Sequence, residues 1–232
     1  QRKAMFRTLL NLTASCALLL SSIAHAGIVV GSTRYLYKEG AREITAQIEN
    51  KDDIPYLIKS WVEAPAGKAP SFMATPPLFR LEGKQQNTVR LFSNGNVNAP
   101  TDRESMYYFN VMAIPPADDA KANNNTIQLA VRHRMRLVYR PKALFDLSPN
   151  TEAKKLEWRK SGTKLTIKNP TPFFFYFHSI QIGSKEVKPE VNSVAPMTTK
   201  EVTLKENINA SSITWKVVND YGGAGSLYSS SL

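Results

Sequence analysis

Four arginines lie close together near the end of one extended stretch of this sequence. They are Arg132, Arg134, Arg136 and Arg140, within the string TIQLAVRHRMRLVYRP (126–141). Three apolar residues precede them at a spacing of two: Ile127, Leu129 and Val131. That spacing places the apolar side chains on one face of a β-strand, and the guanidinium groups that follow are suited to binding an anion.

This stretch has two interpretations. It is an ordinary strand with an apolar face in the core and a solvated basic face, or it is an exposed edge that accepts a foreign strand by β-augmentation. In the second case the cations would hold a terminal carboxylate through charge-assisted hydrogen bonds worth about 1.5–3 kcal/mol. Strict alternation puts Arg136 on the opposite face from Val131, so we expect a bulge, a strong twist or an edge crossing within Arg132–Met135.

Few other residues offer chemistry. The single Cys excludes a disulfide framework and a multi-cysteine metal site, and a three-His metal centre would need all three histidines. The sequence contains no GxSxG or HExxH motif. His133 and His178 lack a Ser or carboxylate partner at a recognisable spacing, and Asp118-Asp119 is better interpreted as a solvated turn than as a cation site. The sequence therefore predicts no enzymatic activity, no cofactor and no metal.

Residues 1–26 have the three parts of a secretory signal. A basic start precedes an apolar run from Leu9 to Ile23, and the segment closes on Ala24-His25-Ala26. We expect cleavage after Ala26 and no stable membrane insertion of the mature chain; the alternative is an uncleaved anchor, although the run is short for a membrane span. Cleavage would remove the only Cys, three cations and no acids, so the formal charge would fall from +11 to +8.

Short β-rich segments separated by Pro, Gly, Asn and Asp clusters recur along the rest of the chain. They include Tyr56–Val62, Met106–Ile114, Thr126–Tyr139, Phe173–Ile182 and Ile213–Val218. Such segments, without a long 3.6-residue period, predict an all-β fold built of sandwiches. The remaining length fits two immunoglobulin-like units of about 100 residues each. We place their joint around Phe145–Thr151, which divides the chain into domains at 27–146 and 147–232.

Seven strings along the chain resemble the periplasmic chaperones of the chaperone–usher pathway, which assemble P and type 1 pili. The strings are STRYLY (32–37), IPYLIKSWVE (54–63), MATPPLFRLE (73–82), DRESMYYFNVMAIPP (102–116), IQLAVRHRMRLVYRP (127–141), KNPTPFFF (168–175) and VNDYGG (218–223). The resemblance implies two immunoglobulin-like β-sandwich domains in a boomerang arrangement, with a cleft that anchors the C-terminal carboxylate of a pilus subunit. The short stretch between Pro115 and Gln128 resembles the short-loop chaperones of rod-like pili.

The resemblance assigns this carboxylate anchor to two cations. Arg34 is the first, in the T-R-x-x-aromatic context of residues 33–37. The second is usually a Lys four residues before the Arg of the Y-R-P string, and here that position is Arg136. The substitution keeps the charge but replaces a point-like ammonium with a planar fork, and Arg132 and Arg134 are neighbouring competitors for the role. Without the resemblance, Arg34 would be an exposed cation on an edge strand.

The groove residues of the family correspond to Ile127, Leu129 and Val131. The resemblance implies that these side chains are lent to a subunit that lacks its final strand, which would otherwise expose an apolar slot. Burying them contributes roughly 1.5–3 kcal/mol each before ordering costs. The implied function is a stoichiometric folding template that uses no nucleotide and delivers pilus subunits to an outer-membrane usher. Whether the free form covers its edge by self-association stays open.

Three further charges match an interdomain ion network of the family: Glu104, Arg140 and Asp220. The resemblance implies that they fix the angle between the domains and do not bind the subunit. From spacing alone they would be three unrelated surface charges, whose exposed pairs contribute only about 0–1 kcal/mol.

A secreted polyanion-binding module is the alternative from another class. The charge of the mature chain and the arginine-rich strand would suit nucleic acid or an anionic glycan. No nucleic-acid-binding motif is present, and export argues against a nucleic-acid partner. The salt dependence of binding separates the two, since phosphate contacts produce a steep slope.

Overall fold

A computed structural model of the protein describes residues 27–95, 97–116, 129–187 and 192–232. The regular structure of these residues is dominated by β-strands. The first nine are β1 (Ile28–Val30), β2 (Arg34–Lys38), β3 (Ile44–Asn50), β4 (Tyr56–Glu63), β5 (Phe72–Thr75), β6 (Leu78–Leu81), β7 (Gln86–Ser93), β8 (Ser105–Ile114) and β9 (Val131–Arg140). The other eight are β10 (Glu157–Ser161), β11 (Lys164–Asn169), β12 (Phe175–Ile182), β13 (Lys185–Glu186), β14 (Ser193–Val194), β15 (Thr198–Thr203), β16 (Ser212–Val218) and β17 (Ala224–Ser231).

Helical structure in these ranges is confined to the connection between β9 and β10. It consists of a 3₁₀ turn at Lys142–Leu144, one turn of α-helix at Pro149–Glu152 and a second 3₁₀ turn at Ala153–Lys155. Pro149 occupies the first helical turn, where its missing N–H is not needed by the helix.

The strands before this connection form a sandwich of two sheets. One sheet has the order β1-β3-β7-β5 and the other the order β2-β9-β8-β4-β6. Alternate side chains of β8, at Tyr107, Phe109 and Val111, are fully buried between the sheets, as the period of two in a strand requires. Aromatic rings close the core, because Phe72 packs edge-on against Tyr107 with ring centroids 4.7 Å apart.

The later strands form a second sandwich with its own core. A three-stranded sheet, β10-β11-β15, faces a sheet ordered β13-β12-β16-β17, and β14 also pairs with β12. Trp158 and Trp215 lie in this core with ring centroids 5.3 Å apart, and Trp215 donates its indole N–H to the Ala153 carbonyl oxygen at 3.1 Å. Each sandwich buries a separate apolar cluster. The prediction of an all-β fold with two domains is confirmed.

Strand β9 has neighbours of different length on its two sides. It pairs antiparallel with β8 along Val131–Tyr139, and parallel with β2 only along Arg136–Arg140. Of the bulge, strong twist or edge crossing expected within Arg132–Met135, the bulge is absent, because the register with β8 is continuous through this segment. The strand also begins later than Thr126–Tyr139 predicts: Leu129 and Ala130 precede it, and residues 126–128 lie outside the described residues.

Candidate functional site

The first half of β9 has one unpaired edge in the described part of the chain. Val131–Met135 pair with β8 on one side, and β2 reaches β9 only from Arg136 onward. The Arg136 N–H donates to the Thr33 carbonyl oxygen at 3.3 Å. Because alternate residues of a strand direct their N–H and C=O to the same edge, the backbone groups of Arg132 and Arg134 face the vacant side. This edge can pair with an added strand.

The apolar side chains at the start of β9 lie beyond the covered core. Leu129 is 74% exposed and Val131 is 53% exposed, whereas Met135 and Leu137, on the same face as Val131, are buried. This face of the chain is therefore exposed at Leu129 and Val131 and buried from Met135 onward. The exposed part presents apolar surface beside the unpaired edge. Ile127, the third residue of the predicted groove, lies outside the described residues.

Arg34 and Arg136 lie where the vacant edge ends. They are register partners in the parallel pair of β2 and β9, so their backbones are about 4.8 Å apart and their side chains leave the same face of the sheet. Arg34 has a side chain only 9% exposed, and its Nη2 lies 3.6 Å from Asp220 Oδ1. Its buried Nε and Nη2 have no hydrogen-bond partner among the described residues. Arg34 is therefore not the exposed cation that the sequence would suggest without the resemblance.

The unused buried donors of Arg34, next to the guanidinium group of Arg136, are suited to binding an anion. Like charges on neighbouring strands repel each other, and a buried N–H without a partner costs free energy. A carboxylate placed between Arg34 and Arg136 would relieve both costs through charge-assisted hydrogen bonds. The pairing of β2 with β9 already places Arg34 next to Arg136, so neither an added strand nor an anion is needed to bring them together.

Arg140 connects residues from both domains. Its Nε donates to Glu104 Oε1 at 2.8 Å, and its Nη1 and Nη2 donate to the two carboxylate oxygens of Asp220 at 2.7 and 2.8 Å. The Phe174 N–H donates to the other Glu104 oxygen at 2.9 Å, and the Glu104 N–H donates to the Pro172 carbonyl oxygen at 2.9 Å. The structure therefore brings together the three charges that the sequence associated.

Burial and pairing have opposite effects on the two carboxyl groups. Burial raises the pKa of Glu104 above its usual value, against the attraction of Arg140. For Asp220, burial also acts to raise the pKa, but the hydrogen bonds and charge of Arg140, with the charge of Arg34, lower it on balance. Three guanidinium groups (Arg34, Arg136 and Arg140) meet two carboxylates at this junction, which leaves positive charge for a bound anion.

Arg132 and Arg134, the neighbouring candidates for the anchor, have other partners. Arg132 Nη2 donates to Glu63 Oε1 at 2.6 Å, and Arg134 Nε lies 3.4 Å from the other oxygen of Glu63. Arg132 also donates to the Asn110 side-chain oxygen. Both arginines are thereby neutralised in part by Glu63. Glu63 and Asn110 were not predicted from the sequence, because only the pairing of β4, β8 and β9 brings them near the arginines.

Other site classes have little support in the described residues. No cluster of three or more His, Cys, Asp or Glu side chains is placed to hold a metal ion there. None of the helices in the same ranges is long and apolar enough to cross a membrane. His133 lies on β9 opposite Val111, and His178 lies on β12 at an irregularity in its pairing with β16.

Comparison with known proteins gives consistent matches over most of the chain. The family model described as "Pili and flagellar-assembly chaperone, PapD N-terminal domain" matches residues 27–145, and "Pili assembly chaperone PapD, C-terminal domain" matches residues 151–229. The chain is 39% identical over 208 residues to the chaperone protein FimC of Escherichia coli K12, which covers 89% of this chain and 85% of that protein.

Solved structures with the same fold agree with these matches. A chain from the complex of the Salmonella enterica SafA pilin with the SafB chaperone superposes with a TM-score of 0.79 at 31% identity, covering 89% of this chain and 96% of that one. The periplasmic chaperone SfaE superposes with a TM-score of 0.72 at 36% identity, covering 87% of this chain and 97% of the other.

Proposed function

This chain belongs to the pili and flagellar-assembly chaperone family, and from that premise we propose that it folds and caps pilus subunits by donating a strand to them. It is a chaperone and not an enzyme. The observation that carries the mechanism is the vacant edge of β9 next to the register pair of Arg34 and Arg136.

Strand donation follows from the two properties of the first half of β9. A subunit that lacks its final strand has an unpaired edge and an apolar slot. The backbone of Val131–Met135 supplies hydrogen bonds to that edge, and Leu129 and Val131, with Ile127 before them, supply side chains to the slot. Leu129 and Val131 are already exposed, so the chaperone uncovers no core of its own when it lends them.

The anchor sets the direction of the client strand. A strand added to the vacant edge lies in line with β2 and ends where β2 begins, beside Arg34 and Arg136. If it runs parallel to β9 its C-terminal carboxylate arrives at the two guanidinium groups, whereas an antiparallel strand would bring an ammonium group there. Charge therefore selects the parallel orientation and fixes the register of the client at its last residue.

Glu104, Arg140 and Asp220 have a different role in this proposal. Arg140 is 4% exposed and links the first domain to Asp220 of the second. The three charges hold the orientation of the two domains, and they keep Arg34 in place through the ion pair of Arg34 with Asp220. We place the domain boundary after residue 146, so that Glu104 and Arg140 belong to the domain at 27–146 and Asp220 belongs to the domain at 147–232.

The site of action is the periplasm. A related solved chaperone, SfaE, is described as periplasmic, and residues 1–26 have the composition of a secretory signal. We propose that the signal is cleaved after Ala26 and that the mature chain captures subunits as they arrive, then delivers them to an outer-membrane usher.

Co-expression tests this function. The chain is produced in the periplasm together with each pilin of its source bacterium, and the pilin that co-purifies is the client. We expect Arg34→Ala and Arg136→Ala to lose that pilin while the chaperone itself accumulates normally. Arg132→Ala is the matched control, because it removes a cation from the same strand but not from the anchor. Equal pilin recovery from the wild type and all three variants would refute the anchor.

A salt series separates this function from polyanion binding. The complex of chaperone and pilin should change little in stability between low and high salt, because most of its contacts are apolar and backbone contacts. A loss of several orders of magnitude in affinity over that range is the behaviour of a protein that displaces counterions from phosphates and would favour the polyanion-binding alternative.

A further inference from the structure

The aromatic ring beneath Arg136 comes from the second domain. Tyr176 lies on β12, and the guanidinium carbon of Arg136 is 3.7 Å from the centroid of its ring. At that distance the guanidinium group lies in contact with the ring face and is attracted to it both electrostatically and by stacking. Arg136 is thus supported from a domain other than its own.

The ring is itself held in place. Phe175, the preceding residue, is 1% exposed in the core of the second domain, and β12 pairs with β14 at Phe175 and Tyr176. The Tyr176 hydroxyl lies 4.0 Å from the Met106 sulfur atom of β8. Burial raises the pKa of Tyr176 above its usual value, so the ring stays neutral and keeps its attraction for a cation.

This support meets a specific need of an arginine at position 136. The relatives that the sequence resembles usually have Lys there, a point charge that binds an anion from many directions. A guanidinium group binds a carboxylate in its own plane through paired N–H donors. A ring against one guanidinium face fixes that plane and leaves the N–H edge open, and it opposes the displacement of Arg136 by the like charge of Arg34 next to it.

We propose that Tyr176 is a positioning residue of the carboxylate anchor, holding Arg136 in the orientation that grips the client's C-terminus. The inference rests on the anchor role proposed above for Arg34 and Arg136. It makes the second domain part of client recognition, and it pairs Tyr176 with Arg136 as one functional unit. Without the ring of Tyr176, the plane of the Arg136 guanidinium group would not be fixed.

Arginine side-chain NMR tests the inference without a client, with sodium acetate as the carboxylate probe and acetamide as the neutral control. In the wild-type chain the Nε–H signal of Arg136 should show the ring-current shift of Tyr176, and acetate but not acetamide should move the Arg34 and Arg136 signals. Tyr176→Leu should abolish the ring-current shift and weaken acetate binding about tenfold, the loss of one desolvated cation–π contact. Tyr176→Phe should keep both. Trp61→Leu is the matched control, because Trp61 lies under Arg132.

A second substitution separates positioning from folding. In the Arg136→Lys background, Tyr176→Leu should cost little further acetate affinity and should retain the co-purifying pilin, because a lysine does not need a flat support. Equal acetate affinity of the wild type and Tyr176→Leu would overturn the inference while leaving the anchor intact. Failure of acetate to move either arginine signal in the wild type would instead overturn the anchor. A loss on Tyr176→Leu that is just as large in the Arg136→Lys background would show a merely structural role and would also overturn the inference.

Discussion

Replacing Arg140 by methionine should destabilise the protein far more than loss of a surface charge. The Arg140 side chain is 4% exposed and that of Glu104 is fully buried, and methionine fills a similar volume without the charge. Removing one partner of a buried ion pair leaves the other charge uncompensated, which costs about 3–5 kcal/mol. Glu104 would keep only the Phe174 N–H as a donor, and Asp220 would lose its bidentate contact.

The cost should shrink on acidification. Burial already raises the pKa of Glu104 and Arg140 opposes that rise, so removing Arg140 raises the pKa further. Between the ordinary pKa of 4.5 and this raised folded-state pKa, the folded variant binds a proton that the unfolded chain does not. Its stability therefore increases as the pH falls into that window. The penalty is largest above this window, where Glu104 is charged in the folded variant.

Urea unfolding at pH 7 and pH 5, followed by circular dichroism and by tryptophan fluorescence, measures both effects. We expect the loss in Arg140→Met to be several kcal/mol at pH 7 and smaller at pH 5. The double variant Glu104→Gln with Arg140→Met should be more stable than Arg140→Met at pH 7 and should lack its pH dependence. A loss below about 1 kcal/mol at pH 7, which is typical of an exposed pair, would contradict the reasoning from burial.

Other substitutions give sharper tests of single features. Val131→Asp should abolish pilin recovery and leave the chaperone folded, because the side chain is 53% exposed in the free protein; recovery compared with Val131→Ile measures this. Glu63→Ala should cost less than about 1 kcal/mol in urea unfolding, since its ion pairs with Arg132 and Arg134 are partly solvated. Gly83→Ala should destabilise the first domain, because an added Cβ would lie 2.2 Å from the Asp53 carbonyl oxygen, whereas at Gly31 the nearest atom is 3.5 Å away; a comparable fall in melting temperature in Gly31→Ala would argue against this steric reason.

Much of the fold could be predicted from local patterns. The segments at 56–62, 106–114 and 213–218 correspond within one or two residues to β4, β8 and β16, because alternating apolar residues mark a half-buried strand wherever both neighbours are present. The start of β9 was less predictable. Leu129 continues the alternation of apolar residues that leads into the strand. A pattern of side chains does not show at which residue a strand stops pairing with the strand beside it.

The site was predictable in its residues but not in its geometry. The resemblance associated Arg34 with Arg136, and their direct register across β2 and β9 came from the structure. The expected bulge was wrong because it assumed that one ligand must contact both faces of β9. A carboxylate at the end of a strand can instead meet the arginines beyond its last apolar residue. Tyr176 was missed because it lies in an aromatic run in which Phe173 and Phe175 are buried in the core, and spacing does not separate a supporting ring from a buried one.

Strand β9 takes part in three functions: strand donation, carboxylate binding and the contact between the domains. Its first residues have one open edge, Arg136 faces a ring from the second domain, and Arg140 is enclosed by carboxylates from both domains. The arginine side chains are 39% exposed at Arg132 and 50% exposed at Arg134 but only 4% exposed at Arg140, so an ion pair contributes most to stability at the junction. The client is thus bound at the end of β9 where a substitution lowers the stability of the fold least. The other end of the strand holds the two domains in their relative orientation. The anchor lies between these two ends of β9. Because Arg136 contacts Tyr176 of the second domain, a change in domain orientation would move Arg136 and so affect the bound client.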